Sequence, residues 1–324
     1  MKEKERILKK IENDDSRPVL FSESMGGSES QLRLLFKFVP DEYFKNINLI
    51  LNNTDERLID SEKINILWVH HFTNQKEVQN LNNKNYLDKI DHFVFNSSWN
   101  FEQHQHKFKV PVNKSIVIRN AIEKIQSAKK PKDKINLIYH TTPWRGLNVL
   151  ISAYKKLNLK DVELNICSST MVYGKKFHSN FEPKFKHIID ECKKLKNAKY
   201  HGFVEHLNLI KLLQNMHIFS YPSVWPETSC IAAIEAMAAG CEVVTTNLGA
   251  LNETCSPFAK FVNFNNNLNI LEKVFLESLE ESIQNFWSEE NQKKLDRQKE
   301  EINKLYSWDI RKNEWIDFLN KINN

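Results

Sequence analysis

Paired cysteines and abundant glycine are both lacking in this sequence. It has only 7 glycines and 5 cysteines in 324 residues. None of the cysteines forms a Cys-x-x-Cys pair or has the spacing of a zinc site, so neither a redox pair nor a structural zinc is predicted. We expect the cysteines to be small buried residues of a protein in a reducing compartment.

Long apolar runs and a strong excess of one charge are also absent. No stretch reaches the roughly 18 apolar residues of a membrane-spanning helix, and residues 1–13 lack the apolar core of a signal peptide. The net charge of +5 is mild, with basic and acidic residues interspersed, which argues against a dedicated nucleic-acid-binding protein. A cytoplasmic protein is therefore expected, with peripheral attachment to the inner membrane face left open.

A metal-binding pair of aspartates is missing as well. The chain contains no Asp-x-Asp sequence, an arrangement of carboxylates that could hold a divalent cation against a diphosphate. The sequence therefore does not indicate a metal-bridged diphosphate.

What the chain does have is enough apolar mass for two cores. The hydrophobic fraction is 41%, with 20 Phe and 7 Trp, over a length that suits two domains. The polar, proline-containing stretch 127–134 is the best candidate linker. We expect an N-terminal domain over residues 1–126 and a second domain over 127–305. A last helix over 306–324, with tryptophans at helical spacing, is expected to pack back on the first domain.

Strands alternate with helices along both halves, which is typical of α/β domains with parallel sheets. Strands are expected over residues 17–22, 47–51, 64–69, 91–95, 115–120, 135–139, 162–167, 199–201, 218–220, 242–246 and 260–262. Helices are expected over 2–13, 25–38, 98–108, 146–157, 230–239, 268–283, 288–305 and 307–322.

The most informative stretch, 221–253, reads as a strand end, a polar loop, a helix and a further strand. Thr228 or Ser229 is expected to cap the helix, because a side-chain oxygen there can accept from its free amides. Glu227 precedes this helix, and Glu235 lies inside it, rotated by about 80° from Glu227 around the helix axis. A carboxylate inside an apolar helix is costly without a partner, and sugar or ribose hydroxyls would suit. Taken alone, a solvent-facing Glu235 and a loop Glu227 would be the more common outcome.

The order Pro-Glu-x7-Glu, Ala-Met-Ala-Ala-Gly and Val-Val-Thr-Thr resembles the donor-binding motif of family-4 retaining glycosyltransferases. That resemblance implies a GT-B fold, with two Rossmann-like αβ domains facing a central cleft. It implies that Glu227 meets the transferred sugar and that Glu235 holds the ribose of the nucleotide. The intervening amides of Thr228, Ser229 and Cys230 would meet the sugar and the diphosphate. Such an anion suits the start of a helix.

One residue near this motif departs from the family pattern. The resembling family commonly has a proline before the following strand, where this chain has Glu242. The position lies outside the donor loop, so the departure does not alter the expected roles.

The second informative stretch, 139–147, combines a strand end, a polar loop and a helix start. A fixed cation here would stabilise the charge that grows on a departing diphosphate, and the planar fork of Arg145 suits a phosphate. In the resembling family an arginine is followed five residues later by a lysine. Arg145 takes the lysine position and His140 the arginine position, so one cation is missing or is a titrating histidine.

The resemblance also suggests roles for residues elsewhere. Gly27, in the Gly-Gly turn that opens an early helix, would face the donor, although a simple tight turn is an equal alternative. His70, at the end of a strand and in better register than His71, would contact the transferred sugar. Backbone near Phe203 and Val204 would hold the nucleotide base.

The expected function is a retaining, metal-independent glycosyltransferase with no cofactor other than its co-substrate. It would move a hexose-type sugar from a UDP- or GDP-sugar to a glycan, lipid-linked or other hydroxyl acceptor. The alternatives are a non-catalytic nucleotide-sugar-binding protein and a GT-B epimerase or phosphorylase. A nucleic-acid acceptor has no basic stripe to support it. The sequence names neither the sugar, the acceptor nor the oligomeric state.

Overall fold

The computed structural model describes residues 3–12, 24–157 and 159–323. The chain forms two compact units, one of Met1–Ala121 with Tyr306–Asn324 and the other of Ile122–Leu305. The sequence predicts the boundaries between the two units at 126/127 and 305/306, close to those observed. The strand expected over residues 17–22 lies outside the described residues.

Ten strands and thirteen helices make up the described part of the chain. The strands are β1 (Ile47–Leu51), β2 (Ile64–Val69), β3 (His92–Phe95), β4 (Ser115–Val117), β5 (Ile135–Tyr139), β6 (Val162–Ile166), β7 (Ala198–Tyr200), β8 (Ile218–Tyr221), β9 (Glu242–Thr246) and β10 (Lys260–Val262). The helices are α1 (Glu3–Glu12), α2 (Gly27–Phe38), α3 (Lys84–Asp88), α4 (Ser98–Phe108), α5 (Leu147–Lys156), α6 (Lys175–Phe181), α7 (Lys186–Lys194), α8 (His206–Leu213), α9 (Ile231–Ala238), α10 (Leu251–Cys255), α11 (Leu268–Asn285), α12 (Glu289–Leu305) and α13 (Trp308–Asn323).

The first unit is built on a parallel sheet in the order β1-β2-β3-β4. Strands β1, β2 and β3 are almost entirely buried, as the continuous apolar runs of a two-sided parallel sheet predict. The apolar side chains form two clusters. One includes residues of α1, α2 and α13, and the other includes residues of α3 and α4.

The last helix, α13, belongs to the first unit. Trp315 is fully buried and meets Trp68 of β2 edge to face, with ring centroids 4.8 Å apart. The indole N–H of Trp308 donates to the carbonyl of Ala121 at 3.1 Å. The side-chain amide of Gln31 on α2 donates to the same carbonyl and accepts from the backbone N–H of Ala121. Helix α13 therefore completes the core that α1 and α2 begin.

The second unit has a six-stranded parallel sheet in the order β10-β9-β8-β5-β6-β7. The chain starts in the middle at β5, moves outward to β7, and then returns to place β8 on the other side of β5. This is the doubly wound order of Rossmann folds. Ligands of such sheets bind outside the carboxyl ends of the strands where the order reverses, which here means β5 and β8.

Glu242, which replaces the expected proline, opens β9 as a buried carboxylate. Its oxygens accept from Asn291 at 3.3 Å, Lys294 at 3.2 Å and Ser282 at 3.5 Å, all on the two helices that follow the sheet. Since a buried carboxylate needs such partners, this departure is absorbed locally.

Four helices of the second unit, α6, α7, α8 and α10, were not expected. All four are short: α6 has 7 residues, α7 has 9, α8 has 8 and α10 has 5. A helical pattern of apolar residues is recognised over a window of roughly 11–18 residues. These helices are too short to show that pattern clearly. Among residues 3–12, 24–157 and 159–323, no helix is both long and apolar enough to cross a membrane.

Candidate functional site

Two loops meet at the point where the strand order of the second sheet reverses. One follows β5 and ends at Gly146, and the other follows β8 from Pro222. Gly146 has φ +118°, and a Cβ atom on it would lie 2.1 Å from the carbonyl oxygen of Pro222. The amide of Val224 donates to the carbonyl of Arg145 at 3.4 Å. Only glycine allows this approach, so the residue fixes how the two loops pack.

The backbone of Glu227 is held by the turn that follows β9. It forms a parallel bridge with Gly249, and its carbonyl accepts from the amide of Ala250 at 2.7 Å. Gly249 has φ +69°, and a Cβ there would lie 2.5 Å from the carbonyl oxygen of Glu227. Glu227 is thus fixed by a third loop, which the sequence analysis did not connect with it.

The carboxylate of Glu227 is buried and accepts from two partners on one oxygen. Nη1 of Arg145 donates to Oε1 at 2.6 Å, and the hydroxyl of Tyr221 donates to the same atom. Arg145 also lies 5.7 Å from the ring centre of Trp225, within range of a cation–π contact. The structure therefore brings together Arg145 and Glu227, two residues to which the sequence assigned separate roles.

The charges of this group are set by burial and by the ion pair. Burial, the largest single influence, acts to lower the pKa of Arg145, but Glu227 together with Tyr173, Tyr221 and Cys230 outweighs it, so that the pKa lies well above its ordinary value. Burial, followed by Glu227, raises the pKa of Tyr221. Arg145 is therefore a fixed cation and Tyr221 a neutral donor. Nε of Arg145 is buried and has no hydrogen-bond partner within the described part of the chain.

His140, which takes the position of the missing family arginine, is buried behind the loop. Its Nε2 donates to the carbonyl of Ala232 on α9 at 3.1 Å, and its ring packs on Phe219 at 4.5 Å. Burial lowers the pKa of His140 to about 4. Of the two possibilities left by the sequence, the structure favours a missing cation, because this ring is neutral near pH 7.

Glu235 lies on α9 and is buried, as an inward-facing carboxylate would be. Its partner in this structure is His206, the first residue of α8, whose Nε2 lies 2.6 Å from Oε1 of Glu235. The hydrogen bond that His206 donates to Glu235 is the main cause of a raised pKa at His206. The cost of placing a carboxylate in an apolar helix is therefore offset by an imidazole that the sequence analysis did not single out.

Helix α9 begins later than expected. Thr228 and Ser229 were predicted to cap it, but the capping position is Cys230, and no side chain caps the helix there. The bridge between Glu227 and Gly249 keeps the loop extended up to this point. Thr228 and Ser229 are therefore loop residues, and the side chain of Cys230 does not cap the first amides of α9.

Phe203 and Val204 follow β7, at the far side of the sheet from β8. The Phe203 ring is 40% exposed. An open depression of about 690 Å³ lies beside it, at the carboxyl ends of β6 and β7, with Ser169 and Tyr200 also in its wall. Neither Arg145 nor Glu227 lines this depression. The proposed base contact near Phe203 stays a prediction.

Gly27 and His70 lie in the first unit, and their proposed roles also stay predictions. Gly27 is the exposed first residue of α2, and Gly26 before it has φ −60°, so the turn does not require glycine for its backbone. His70 follows β2; its amide donates to Asn52 at 2.6 Å, and its ring packs on Trp68. Burial, assisted by the neighbouring His71, lowers the pKa of His70 to about 3.

No cluster of three or more His, Cys, Asp or Glu side chains that could hold a metal ion occurs among the described residues. The five cysteines are all buried and free, as expected.

Four residues of the site were missed by sequence reasoning: Tyr221, Trp225, His206 and Gly249. Tyr221 and Trp225 lie inside the informative stretch, but a tyrosine ending a buried strand and a loop tryptophan usually serve packing. Gly249 had a usable signal, because with so few glycines each one marks a demanding position. His206 had none, because its pairing with Glu235 joins residues 29 positions apart on different helices.

The sequence matches the family model of the group 1 glycosyl transferases over residues 119–304. This match covers more than half of the chain and almost all of the second unit. The chain belongs to the group 1 glycosyltransferases. A comparison with curated proteins finds no match.

Solved structures of similar fold are glycosyltransferases. A glycosyltransferase from Rickettsia africae ESF-5 has a TM-score of 0.66 and 17% identity, covering 87% of this chain and 79% of its own. HepE from Anabaena has a TM-score of 0.62 and 13% identity, and the match covers 85% of this chain and 79% of HepE. The pneumococcal O-GlcNAc transferase GtfA has a TM-score of 0.63 and 12% identity, and the match covers 90% of this chain but only 60% of GtfA. These similarities identify the fold as GT-B, and the family membership supports glycosyl transfer.

His206 is expected to titrate above the ordinary histidine pKa of about 6.5, because Glu235 stabilises the protonated ring. A raised folded-state pKa means that this pair stabilises the protein at low pH and that the contribution is lost as pH rises through that pKa. NMR of the ring protons measures the midpoint directly. Glu235→Gln should lower it, with the histidines of the first unit as internal controls. A midpoint that Glu235→Gln leaves unchanged would contradict the pairing.

Proposed function

We propose that this protein is a retaining glycosyltransferase of family 4. It transfers a hexose-type sugar from a UDP- or GDP-sugar to a hydroxyl acceptor on a glycan, a lipid-linked sugar or another molecule. The observation that carries the proposal is the Arg145–Glu227 pair at the reversal point of the sheet, where such folds bind ligands. Glu235 lies on the helix that follows the same loop.

The sugar-diphosphate end of the donor is assigned to Arg145, Glu227 and the start of α9. Arg145 has several N–H donors, of which Nη1 is bound to Glu227 and Nε has no partner within the described residues. A diphosphate oxygen at this guanidinium would receive a charged hydrogen bond. The first amides of α9 add partial positive charge. Because these groups can meet the diphosphate charge, we propose that transfer requires no metal ion.

The nucleotide end is assigned to Glu235. Its Oε1 is bound to His206, so the carboxylate is held in one orientation. Oε2 can then accept from a ribose hydroxyl. His206 positions Glu235 in this scheme and does not itself react.

Two structurally similar proteins support a nucleotide-sugar donor. HepE from Anabaena was crystallised with UDP-glucose, and the pneumococcal O-GlcNAc transferase GtfA with UDP and GlcNAc. Both share the fold with this chain at low sequence identity, so the donor of this protein is a proposal that binding must test.

A non-catalytic nucleotide-sugar-binding protein is the second candidate, and one observation favours it. The residue at the position of the family arginine, His140, is neutral because burial lowers its pKa to about 4. The site then has one fixed cation where the resembling family has two. Such a protein would bind a nucleotide-sugar and neither hydrolyse nor transfer it.

Replacing either site carboxylate should separate the two ends of the donor. Glu235→Gln should weaken UDP and UDP-glucose alike, by roughly 10- to 100-fold, because a charged hydrogen bond to ribose contributes on the order of 1.5–3 kcal/mol. Glu227→Gln should weaken only the sugar-bearing ligand. Calorimetric titration of each variant with both ligands, and with GDP and GDP-mannose, measures this.

Glu272→Gln is the matched control for these two variants. Glu272 is also a buried carboxylate of the second unit, bound to Ser152 at 2.6 Å, but it has no role in the proposed site. Its change should leave both affinities as they are. Equal losses for free nucleotide in the Glu227 and Glu235 variants would reject the division of roles.

Removing the guanidinium of Arg145 should slow the chemical step more than it weakens donor binding. The charge on the leaving diphosphate is larger in the transition state, so Arg145→Ala is expected to lower kcat by about 10- to 100-fold. Arg145→Lys should recover part of this, since it keeps the charge and loses the planar fork. Single-turnover kinetics with saturating donor measures the step.

The ion pair with Glu227 requires its own control. Arg145→Ala leaves a buried carboxylate without its cation, which destabilises the site by itself. The double variant Arg145→Ala/Glu227→Gln removes that penalty, and thermal unfolding shows whether it is folded. An Arg145→Ala enzyme with unchanged turnover would disprove the role given to this residue.

The configuration of the product tests the retaining mechanism. An α-linked donor should yield an α-linked product, as the family resemblance implies. The coupling constant of the anomeric proton in the NMR spectrum of the product distinguishes the two outcomes. A β-linked product would show that the reaction inverts configuration.

A further inference from the structure

One segment of the second unit has a marked excess of positive charge. Residues 173–200 contain eight lysines and three carboxylates, a net charge of +5. The segment covers α6, α7 and β7 of the second unit, so these three elements carry the excess.

The same segment carries aromatic residues at a spacing of four. Tyr173, Phe177, Phe181 and Phe185 follow one another through α6 and the short helical turns on either side of it. Residues four apart lie on the same side of a helix, which places Phe177 and Phe181 of α6 together. Ring centroids are 5.1 Å apart for Tyr173 and Phe177 and 4.2 Å apart for Phe177 and Phe181. We call these four aromatic residues the aromatic ridge. Trp144 packs on it, with its ring centroid 5.4 Å from that of Phe185.

These aromatic rings are neither core nor fully exposed. All five, Trp144 included, are partly buried, since they cover one another while part of each ring reaches the surface. α6 itself buries no residue. An element without buried residues contributes little to the core of its unit, and core packing therefore does not account for four aromatic residues in thirteen.

Exposed lysines surround this ridge. Lys175, Lys176 and Lys184 are exposed, and Nζ of Lys184 lies 4.6 Å from the ring centre of Phe181. The one carboxylate within the ridge, Glu182, is directed to the backbone and hydroxyl of Thr170, at 2.7 and 2.5 Å. Lysines therefore dominate the outer side of the ridge.

We propose that this aromatic–basic surface, formed by Trp144 and residues 173–186, binds the surface of an anionic lipid bilayer. Lysines with aromatic rings between them on one short helical segment are typical of interfacial membrane binding, in which the rings enter the headgroup region and the lysines meet anionic lipids. Nucleic acid fits less well, because single strands need ring faces for base stacking, and here the rings stack on each other.

The surface lies directly beside the loop of the candidate site. Trp144 precedes Arg145 in sequence, and Trp144 and Tyr173 stack at 6.1 Å. A bilayer bound at this surface would hold the loop close to the headgroups, where a lipid-linked acceptor would be found. Lipid binding itself does not depend on glycosyl transfer, so it can be tested separately from the proposed function.

The test uses the full-length protein and flotation with phosphatidylcholine vesicles, with and without phosphatidylglycerol. Binding should require the anionic lipid and weaken as salt is added. Each lysine near an anionic surface contributes about a fivefold gain in affinity. The triple variant Lys175→Gln/Lys176→Gln/Lys184→Gln should therefore bind on the order of 100-fold more weakly. Phe181→Ala should reduce the binding that persists at high salt.

The triple variant Lys129→Gln/Lys273→Gln/Lys293→Gln is the matched control. It removes the same charge from exposed lysines of the same unit, outside the segment, and should bind vesicles as the unchanged protein does. Equal loss in the control would show that only overall charge matters, and so would overturn the proposal. Failure to float with anionic vesicles would also overturn it, as would tighter binding to a single-stranded oligonucleotide that the segment variant loses.

Discussion

The candidate site depends on one ion pair, between Arg145 and Glu227. A carboxylate with this little exposure is stable only with a cation and further hydrogen-bond donors. Arg145 supplies the cation from the loop after β5, and Tyr221 supplies a hydroxyl from the end of β8. Gly146 and Gly249 allow the backbones to approach closely enough for this pairing. Changing any of these parts would disturb the position of the carboxylate.

The same pair constrains how a donor can bind. A diphosphate at Arg145 would share the guanidinium with Glu227, and a guanidinium has enough N–H donors for both. Lysine, the residue of the resembling family here, is a point charge without this fork. With His140 neutral, the planar guanidinium would have to meet the phosphate charge that a second cation would otherwise share. This gives a physical reason for arginine at this position.

The sequence predicted most of the fold and the identity of the main site residues. The bounds of β1, β2, β5, β9 and α4 agree with the prediction, because continuous apolar runs and capping signals are local. The motif also led to Glu227 and Glu235. It could not reveal what these carboxylates touch. That depends on the strand order, which puts β8 beside β5 across some eighty residues of chain. The lysine-rich helices α6 and α7 were missed because, at 7 and 9 residues, they are too short to show a clear helical pattern.

The two carboxylates of the motif differ in the kind of partner that holds them. Glu227 is paired with an arginine, whose charge is fixed across the physiological pH range. Glu235 is paired with His206, whose pKa this carboxylate raises and whose charge depends on pH. Loss of the proton from His206 removes the positive charge beside Glu235 and leaves Arg145 unchanged. In the proposed scheme, binding of the nucleotide end therefore responds to pH through its histidine, whereas the sugar-diphosphate end does not.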